Sequence, residues 1–258
     1  MKILITGTNS GLGQFLHSKI ESDSYTRQTP LSDLMNNKYD VVIHCAFNCK
    51  NNITQENLYN YIKDNILLTD QIVNKIKSEK IVFISSVDVY PEDAPKEENV
   101  SINIDEVKNI YGKCKLISEE IVKTKNNYLI LRPSSILGIN KIPKNIYNLK
   151  NNIPLTLTKN SKLNYIDQEL IYKIINEYTQ NDTGKNETIN VSSHTAVYID
   201  ELEKYFSNIQ YGNYYYNVGD IHVKKIQSIF PNIKINSSID SLFKYVNLLS
   251  KKNIQEKQ

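Results

Sequence analysis

The chain has few of the residues that build metal centres or disulfide frameworks. Its 258 residues include three cysteines, an odd number with no Cys-x-x-Cys pair, and four scattered histidines, His17, His44, His194 and His222. Such a set predicts neither disulfides nor a metal site. Cys45, Cys49 and Cys114 lie among apolar or helical neighbours, the pattern of reduced thiols in a cytoplasmic protein, with Cys45 and Cys49 expected to pack in the core. No apolar run approaches the ~20 residues of a membrane span, and the stretch behind Met1 is too short for a secretion signal. A soluble, intracellular protein with no membrane partner is therefore expected. The net charge is only +3, with lysines and acidic residues interspersed and no basic stripe, so nucleic acid is not an expected partner either. Hydrophobic residues at 40% and charged residues at 23% give a globular balance as far as a polar tail at 251–258. This length suits one large α/β domain, or a nucleotide-binding domain with a small appendage.

Glycine is also scarce, eight in all, yet three fall within seven positions. Lys2-Ile3-Leu4-Ile5-Thr6 is a compact apolar run ending at Gly7, as expected of a strand buried on both faces of a parallel sheet. Next come Gly7-Thr8-Asn9-Ser10-Gly11-Leu12-Gly13 and a helical stripe from Gln14 to Ile20. Strand, glycine-rich turn and helix in this order form a phosphate cradle, to which Gly7, Asn9, Ser10, Gly11, Leu12 and Gly13 are assigned. Gly7 permits the tight turn, Gly11 the approach of a pyrophosphate to backbone N–H groups, and Gly13 the packing of helix on strand. The stretch from Gly13 to the next buried strand, Asp40 to Ala46, is too short for two complete βα units. One short strand near Ser24 to Gln28 and one short helix across Leu31 to Asn37 are expected, with an edge strand missing. An arginine after the second strand favours the 2′-phosphate of NADP and an acidic residue favours NAD. The chain places Arg27 there, so NADP is expected and NAD is the alternative; a solvated surface arginine is the other reading.

A helix is predicted over Glu56 to Lys77, with Asn65 in its middle, where its side chain either bends the helix or lies on the surface. Strand Lys80 to Ile84 then opens into Ser85-Ser86-Val87-Asp88-Val89-Tyr90, polar residues at the ligand-binding edge of such a sheet. A helix from 111 to 123 carries Tyr111 and Lys115, four residues apart and so on one face, where the ammonium can lower the phenol's pKa. Taken alone, such a pair more often marks a solvated helix face. Strand Tyr128 to Arg132 leads into Pro133-Ser134-Ser135.

Together these segments resemble an extended short-chain dehydrogenase/reductase of the nucleotide-sugar epimerase, dehydratase and reductase kind. The resemblance rests on Thr6-Gly7 through Gly13, Asp40 to Ala46, Asn65, Ile84 to Tyr90, Tyr111 to Lys115 and Leu131-Arg132-Pro133. A weaker echo runs through Asn164-Tyr165-Ile166-Asp167 and Ile189-Asn190-Val191. It implies an α/β fold with a Rossmann-type doubly wound parallel sheet over 1–140, and a small substrate-binding part over 141–250 that returns to the sheet. It further implies Tyr111 as acid/base, Lys115 on the nicotinamide ribose, Ser86 holding the reacting oxygen and Asn65 distorting its helix. Cys45 and Ala46 would border the adenosine half, and Ser134 to Ile136 the nicotinamide. Many relatives dimerise through helices that correspond to 56–77 and 108–123, so a homodimer is implied. One departure concerns the glycines. Extended members space them three apart, which would need glycine at Ser10, whereas Gly11 has the spacing of shorter members.

Dehydratases of this kind carry adjacent acidic residues at the positions of Val87 and Asp88, so Val87 argues against dehydration. Asp88 is left as a proton relay or a turn-capping residue. The short C-terminal part and Arg27 favour a reductase of a 4-keto-6-deoxy nucleotide sugar over a 4-epimerase with retained NAD. A non-catalytic dinucleotide sensor is the competing class, disfavoured because Ser86, Tyr111 and Lys115 are all kept. Ile199 to Phe206 reads as a short helix, and Tyr211 to Val218, with Tyr214, Tyr215 and Tyr216, as a strand or a substrate-facing loop.

Overall fold

A computed structural model describes residues 1–255 apart from 51, 93, 139 and 141, with the backbone alone for 250–255. Its first half is strands β1 Ile3–Thr6, β2 Asp23–Tyr25, β3 Lys38–His44, β4 Lys77–Ile84 and β5 Tyr128–Pro133. Between them lie helices α1 Gly11–Lys19, α2 Ser32–Met35, α3 Gln55–Ile62, α4 Leu68–Lys75 and α5 Ile110–Val122. The second half holds β6 Ser135–Leu137, α6 Lys144–Lys150, β7 Lys162–Leu163, β8 Tyr165–Asp167, α7 Gln168–Asn181 and β9 Glu187–Val191. After these come β10 Val197–Tyr198, α8 Lys224–Ile229 and α9 Ser238–Gln255.

Six strands form one parallel sheet in the order β2-β1-β3-β4-β5-β9. The sequence dictates why both faces are covered. In β1, Ile3 and Ile5 join the core beneath α1 and α7, while Leu4 joins the core beneath α4 and α5; Val41 and Ile43 against Val42 repeat the alternation in β3. Period-two residues that are apolar on both sides force a layer of helices on each face. The sheet thins at one edge. β2 has three residues, and among the described residues no strand lies beyond it. This agrees with the missing edge strand, and β2 lies at 23–25 rather than 24–28.

The helix expected over 56–77 is three pieces, α3, a π-helical turn Lys63–Leu67, and α4. The predicted helix 199–206 is a 3₁₀ segment Ile199–Lys204. Residues 211–218 form no strand; Tyr214 and Asn217 make only isolated bridges to Leu157 and Lys162. The second half also builds its own smaller core from Leu137, Ile146, Leu149, Leu163, Tyr165, Leu202, Leu242 and Tyr245, among others. Of the tail read from 251 onward, α9 continues as backbone to Gln255 and residues 256–258 lie outside the described residues. No helix among the described residues is long and apolar enough to cross a membrane.

Candidate active site

The carboxyl ends of β1, β3, β4 and β5 meet along one edge of the sheet, and the side chains there fall into three groups. The first is the phosphate cradle. Gly7 has φ +76°, and a Cβ on it would lie 2.8 Å from Ala46 Cα. A Cβ on Gly13 would lie 2.3 Å from the Gly7 carbonyl oxygen. Side chains at either position would push α1 or the Ala46 loop away, so these glycines are required by contact. Helix α1 starts at Gly11, earlier than expected, and Ser10 precedes it in an extended conformation without capping it through its side chain. With no acidic residue in the first turn, the helix presents its positive end to an anion. These residues fit a dinucleotide pyrophosphate.

The second group is a line of buried hydrogen bonds that shapes the exit of β3. The Thr6 hydroxyl accepts from the backbone N–H groups of Cys45 and Ala46 at 3.1 and 3.0 Å, which leaves its proton for His44 Nδ1 at 2.7 Å. Thr69 donates to the Asn65 carbonyl at 2.7 Å, so it accepts from His44 Nε2 at 3.0 Å. His44 is therefore held as one neutral tautomer, and burial lowers its pKa to about 3. Asn65, completely buried in the π turn, accepts from Asn48 N at 2.6 Å and donates to the Asn48 carbonyl at 3.2 Å. Both ends of its amide are spent on the loop after β3, and it lines neither large cavity. In this position it ties the loop that carries Phe47 and Asn48 to the π turn.

The third group carries the candidate chemistry. Ser86 begins a 3₁₀ turn, Val87–Val89, and accepts the Asp88 N–H at 3.1 Å. Its hydroxyl lines the same cavity as Tyr111 and opposes the rise in the phenol's pKa. The two segments approach closely because Gly112 follows Tyr111. A Cβ there would lie 2.0 Å from the Asp88 carbonyl oxygen. The expectation that Lys115 lowers the Tyr111 pKa is not met. Burial pushes the phenol well above its usual value, with Cys49 and Asp88 adding to the rise and the Ser86 hydroxyl opposing it. Lys115 Nζ instead donates to the Ile84 carbonyl at 2.5 Å and lies 3.6 Å from the Phe47 ring centroid. Burial lowers its pKa to about 8. Asp88 is pushed up by burial.

Two cavities join at the cradle. One, of about 370 Å³, is lined by Ser10, Gly11, Leu12 and Gly13, by Ser86, Asp88, Tyr111 and Lys115, and by Ser134 and Ile136. The other, of about 550 Å³, is lined by Asn9, Ser10, Tyr25, Arg27 and Asp64. Gly7 and Ala46 border both, whereas Cys45 borders only the first. Cys49 is exposed at the rim of the first cavity rather than packed in the core. Arg27 does not stand free. Its guanidinium is 2.7 Å from the Asp64 carboxylate, which Asn48 Nδ2 also reaches at 2.9 Å. Phe47 and Gln168 are lining residues that the sequence did not single out, and Tyr216 reaches the first cavity from the segment read as a strand or a substrate-facing loop. Phe47 directly follows Ala46, and Gln168 follows the Asn164–Asp167 echo. Among the described residues no His, Cys, Asp and Glu side chains cluster to hold a metal ion.

The signature of the NAD dependent epimerase/dehydratase family matches residues 9–162, from the cradle to β7. The chain belongs to that family. The fold agrees with solved structures of low identity. UDP-glucuronic acid 4-epimerase from Bacillus cereus, in complex with NAD, superposes with a TM-score of 0.76 at 19% identity, over 96% of this chain and 99% of that one. MoeE5 in complex with UDP-glucose and NAD gives 0.80 at 14% identity, over 98% and 99%. RMD from Pseudomonas aeruginosa, complexed with NADPH, gives 0.74 at 15% identity, over 95% and 98%. No curated protein matches the chain in sequence.

Proposed function

We propose that this family member reduces the 4-keto group of a 4-keto-6-deoxy nucleotide sugar. The observation that carries this reading is the state of Tyr111. Half-buried, it lines the cavity together with Ser86 and Lys115, and burial holds its phenol above the usual pKa, so at neutral pH it keeps its proton. Carbonyl reduction consumes a proton at the sugar oxygen, and a protonated phenol is the form that supplies it. Ser86 would hold that oxygen, and Lys115, fixed against Ile84 and Phe47, would meet the ribose. A bound nicotinamide dinucleotide supplies the hydride. Buried, apolar Val87 offers no acid for dehydration.

For the cofactor we favour NAD over the NADP expected from Arg27. A 2′-phosphate on Arg27 would have to displace Asp64 and then sit beside its carboxylate. That same pair favours a second reading, a 4-epimerase that retains NAD, since relatives with NAD include the Bacillus cereus 4-epimerase.

One experiment separates the two. Purified protein with NADH or NADPH and a 4-keto-6-deoxy nucleotide sugar should consume reduced-nicotinamide absorbance, and Tyr111→Phe should lose about 100-fold or more. No consumption, together with interconversion of UDP-hexoses without added cofactor, hands the case to the epimerase.

A further inference from the structure

Gln168 opens α7, directly after the N-cap Asp167. Its side chain is 9% exposed and lines the cavity that also holds Leu12, Ser134, Ile136 and Tyr111. Its amide oxygen is buried without a hydrogen-bond partner. Of the buried side-chain atoms left unpaired among the described residues, it alone belongs to a residue lining this cavity. A buried carbonyl with no donor carries a desolvation penalty that a ligand donor would relieve. Neighbouring polar groups are already committed. Ser134 donates to Asn164 Oδ1 at 2.7 Å, Asn164 donates to the Ser193 carbonyl at 2.8 Å, and the Ser193 N–H returns to Asn164 Oδ1 at 3.0 Å. This interlocked set fixes the wall around Gln168 and leaves its amide as the unsatisfied group.

An amide oxygen accepts and cannot bond a phosphate oxygen, so the ligand group must carry N–H or O–H. The diphosphate belongs to the glycine cradle, and Lys115 is placed for the ribose. The adenine amino group and the adenosine hydroxyls fall to the second cavity, which Gln168 does not line. The donor left is the nicotinamide carboxamide, whose flat N–H and C=O pair matches a glutamine amide donor for acceptor. Resting on the dinucleotide reading of the cavity, we propose that Gln168 binds the carboxamide of the nicotinamide and so fixes which face of the ring meets the substrate. Helix α7 packs beside α1 on the same face of the sheet, so the cradle and this amide form two fixed points for one extended ligand.

The test is equilibrium binding to the whole chain, followed by titration calorimetry. NADH, ADP-ribose and the 3-acetylpyridine analogue of the oxidised cofactor are the probes, the last lacking the amide N–H, with oxidised NAD as its reference. Gln168→Leu should weaken NADH about three- to tenfold, the range of one hydrogen bond, and leave ADP-ribose within about twofold. The wild-type preference for NAD over the acetylpyridine analogue should vanish in the same variant. Gln168→Asn, which keeps the amide on a shorter arm, should retain part of that preference and shows that the site tolerates substitution. Equal losses for NADH and ADP-ribose would overturn the proposal in favour of a structural role. No loss for either would also overturn it, assigning the amide to solvent. Failure of the wild-type chain to bind any of the probes would instead refute the dinucleotide reading itself.

Discussion

Arg27, just past the edge strand, and Asp64, in the π turn between α3 and α4, share an ion pair of 2.7 Å at the rim of the larger cavity. Asp64 is about one-third exposed and is steadied by Asn48, whereas the arginine side chain is 73% exposed. The acidic residue facing Arg27 in the second cavity therefore comes from the π turn and not from the end of β2. Asp64→Asn should release Arg27 and shift the ratio of NADPH to NADH affinity toward NADPH by about fivefold, the ~1 kcal/mol of a partly exposed pair. Competitive binding at low and high salt checks it. An unchanged ratio would remove Asp64 from cofactor choice.

Gly112 offers a different test. Its Cα faces the Asp88 carbonyl so closely that an added methyl would overlap it, and both atoms belong to backbone. Gly112→Ala should force α5 away from the turn carrying Ser86, separating it from Tyr111. Turnover should fall about 100-fold, the scale of a 1 Å misplacement, with much less change in cofactor affinity. Parallel kinetics and cofactor titration would show whether the two effects separate.

Glu119 of α5 is fully buried and chelates Arg132 of β5 through two bonds of 3.0 and 2.6 Å, with Ser85 as a further donor. Arg132 reaches on to Tyr90 at 2.7 Å, and Tyr90 donates to Asn190 of β9 at 2.9 Å. Arg132→Met would strand a buried carboxylate and should cost about 3–5 kcal/mol in urea unfolding. Adding Glu119→Gln to that variant should recover part of the loss, because the uncompensated charge is gone.

His44 makes stability depend on acid. Its pKa is about 3 in the fold against an ordinary 6.5, so between those values the unfolded chain binds a proton that the native chain does not. The contribution is whole above about pH 6.5 and is lost as pH falls toward 3, at up to about 1.4 kcal/mol per pH unit. Stability of His44→Gln should decline less steeply across this window than that of the wild type. Matching slopes in denaturant titrations would exclude His44 as the source.

The sheet was largely legible because its strands are apolar on both faces and its punctuation is sharp. Gly7 ends β1, and the shortage of chain before Asp40 announced the lost edge. Asn65 could be singled out as an oddity in a helix, but its partnership with Asn48 depends on a loop bringing together residues 17 apart. Arg27 was visible, while Asp64, 37 positions later, looked like any surface carboxylate. The tyrosine run was open to a strand or a substrate-facing loop, and it forms no strand. Tyr214 and Tyr215 are exposed, and Tyr216 alone reaches the first cavity. Gln168 left no signal, because an unpaired amide exists only after the chain has closed around it.

The short edge strand also bears on how a ligand enters. β2 is held by three register partners in β1, by the Gly7–Tyr25 backbone bond of 2.9 Å and by the Thr8–Ser24 hydroxyl contact. Its residues are partly or fully exposed, whereas the opposite side of the cleft is pinned by the Glu119–Arg132 ion pair. Local opening should therefore begin at β2, and its amides should exchange with solvent well before those of β4 and β5. One wall of the cleft can loosen while the wall bearing Ser86 and Tyr111 stays in register.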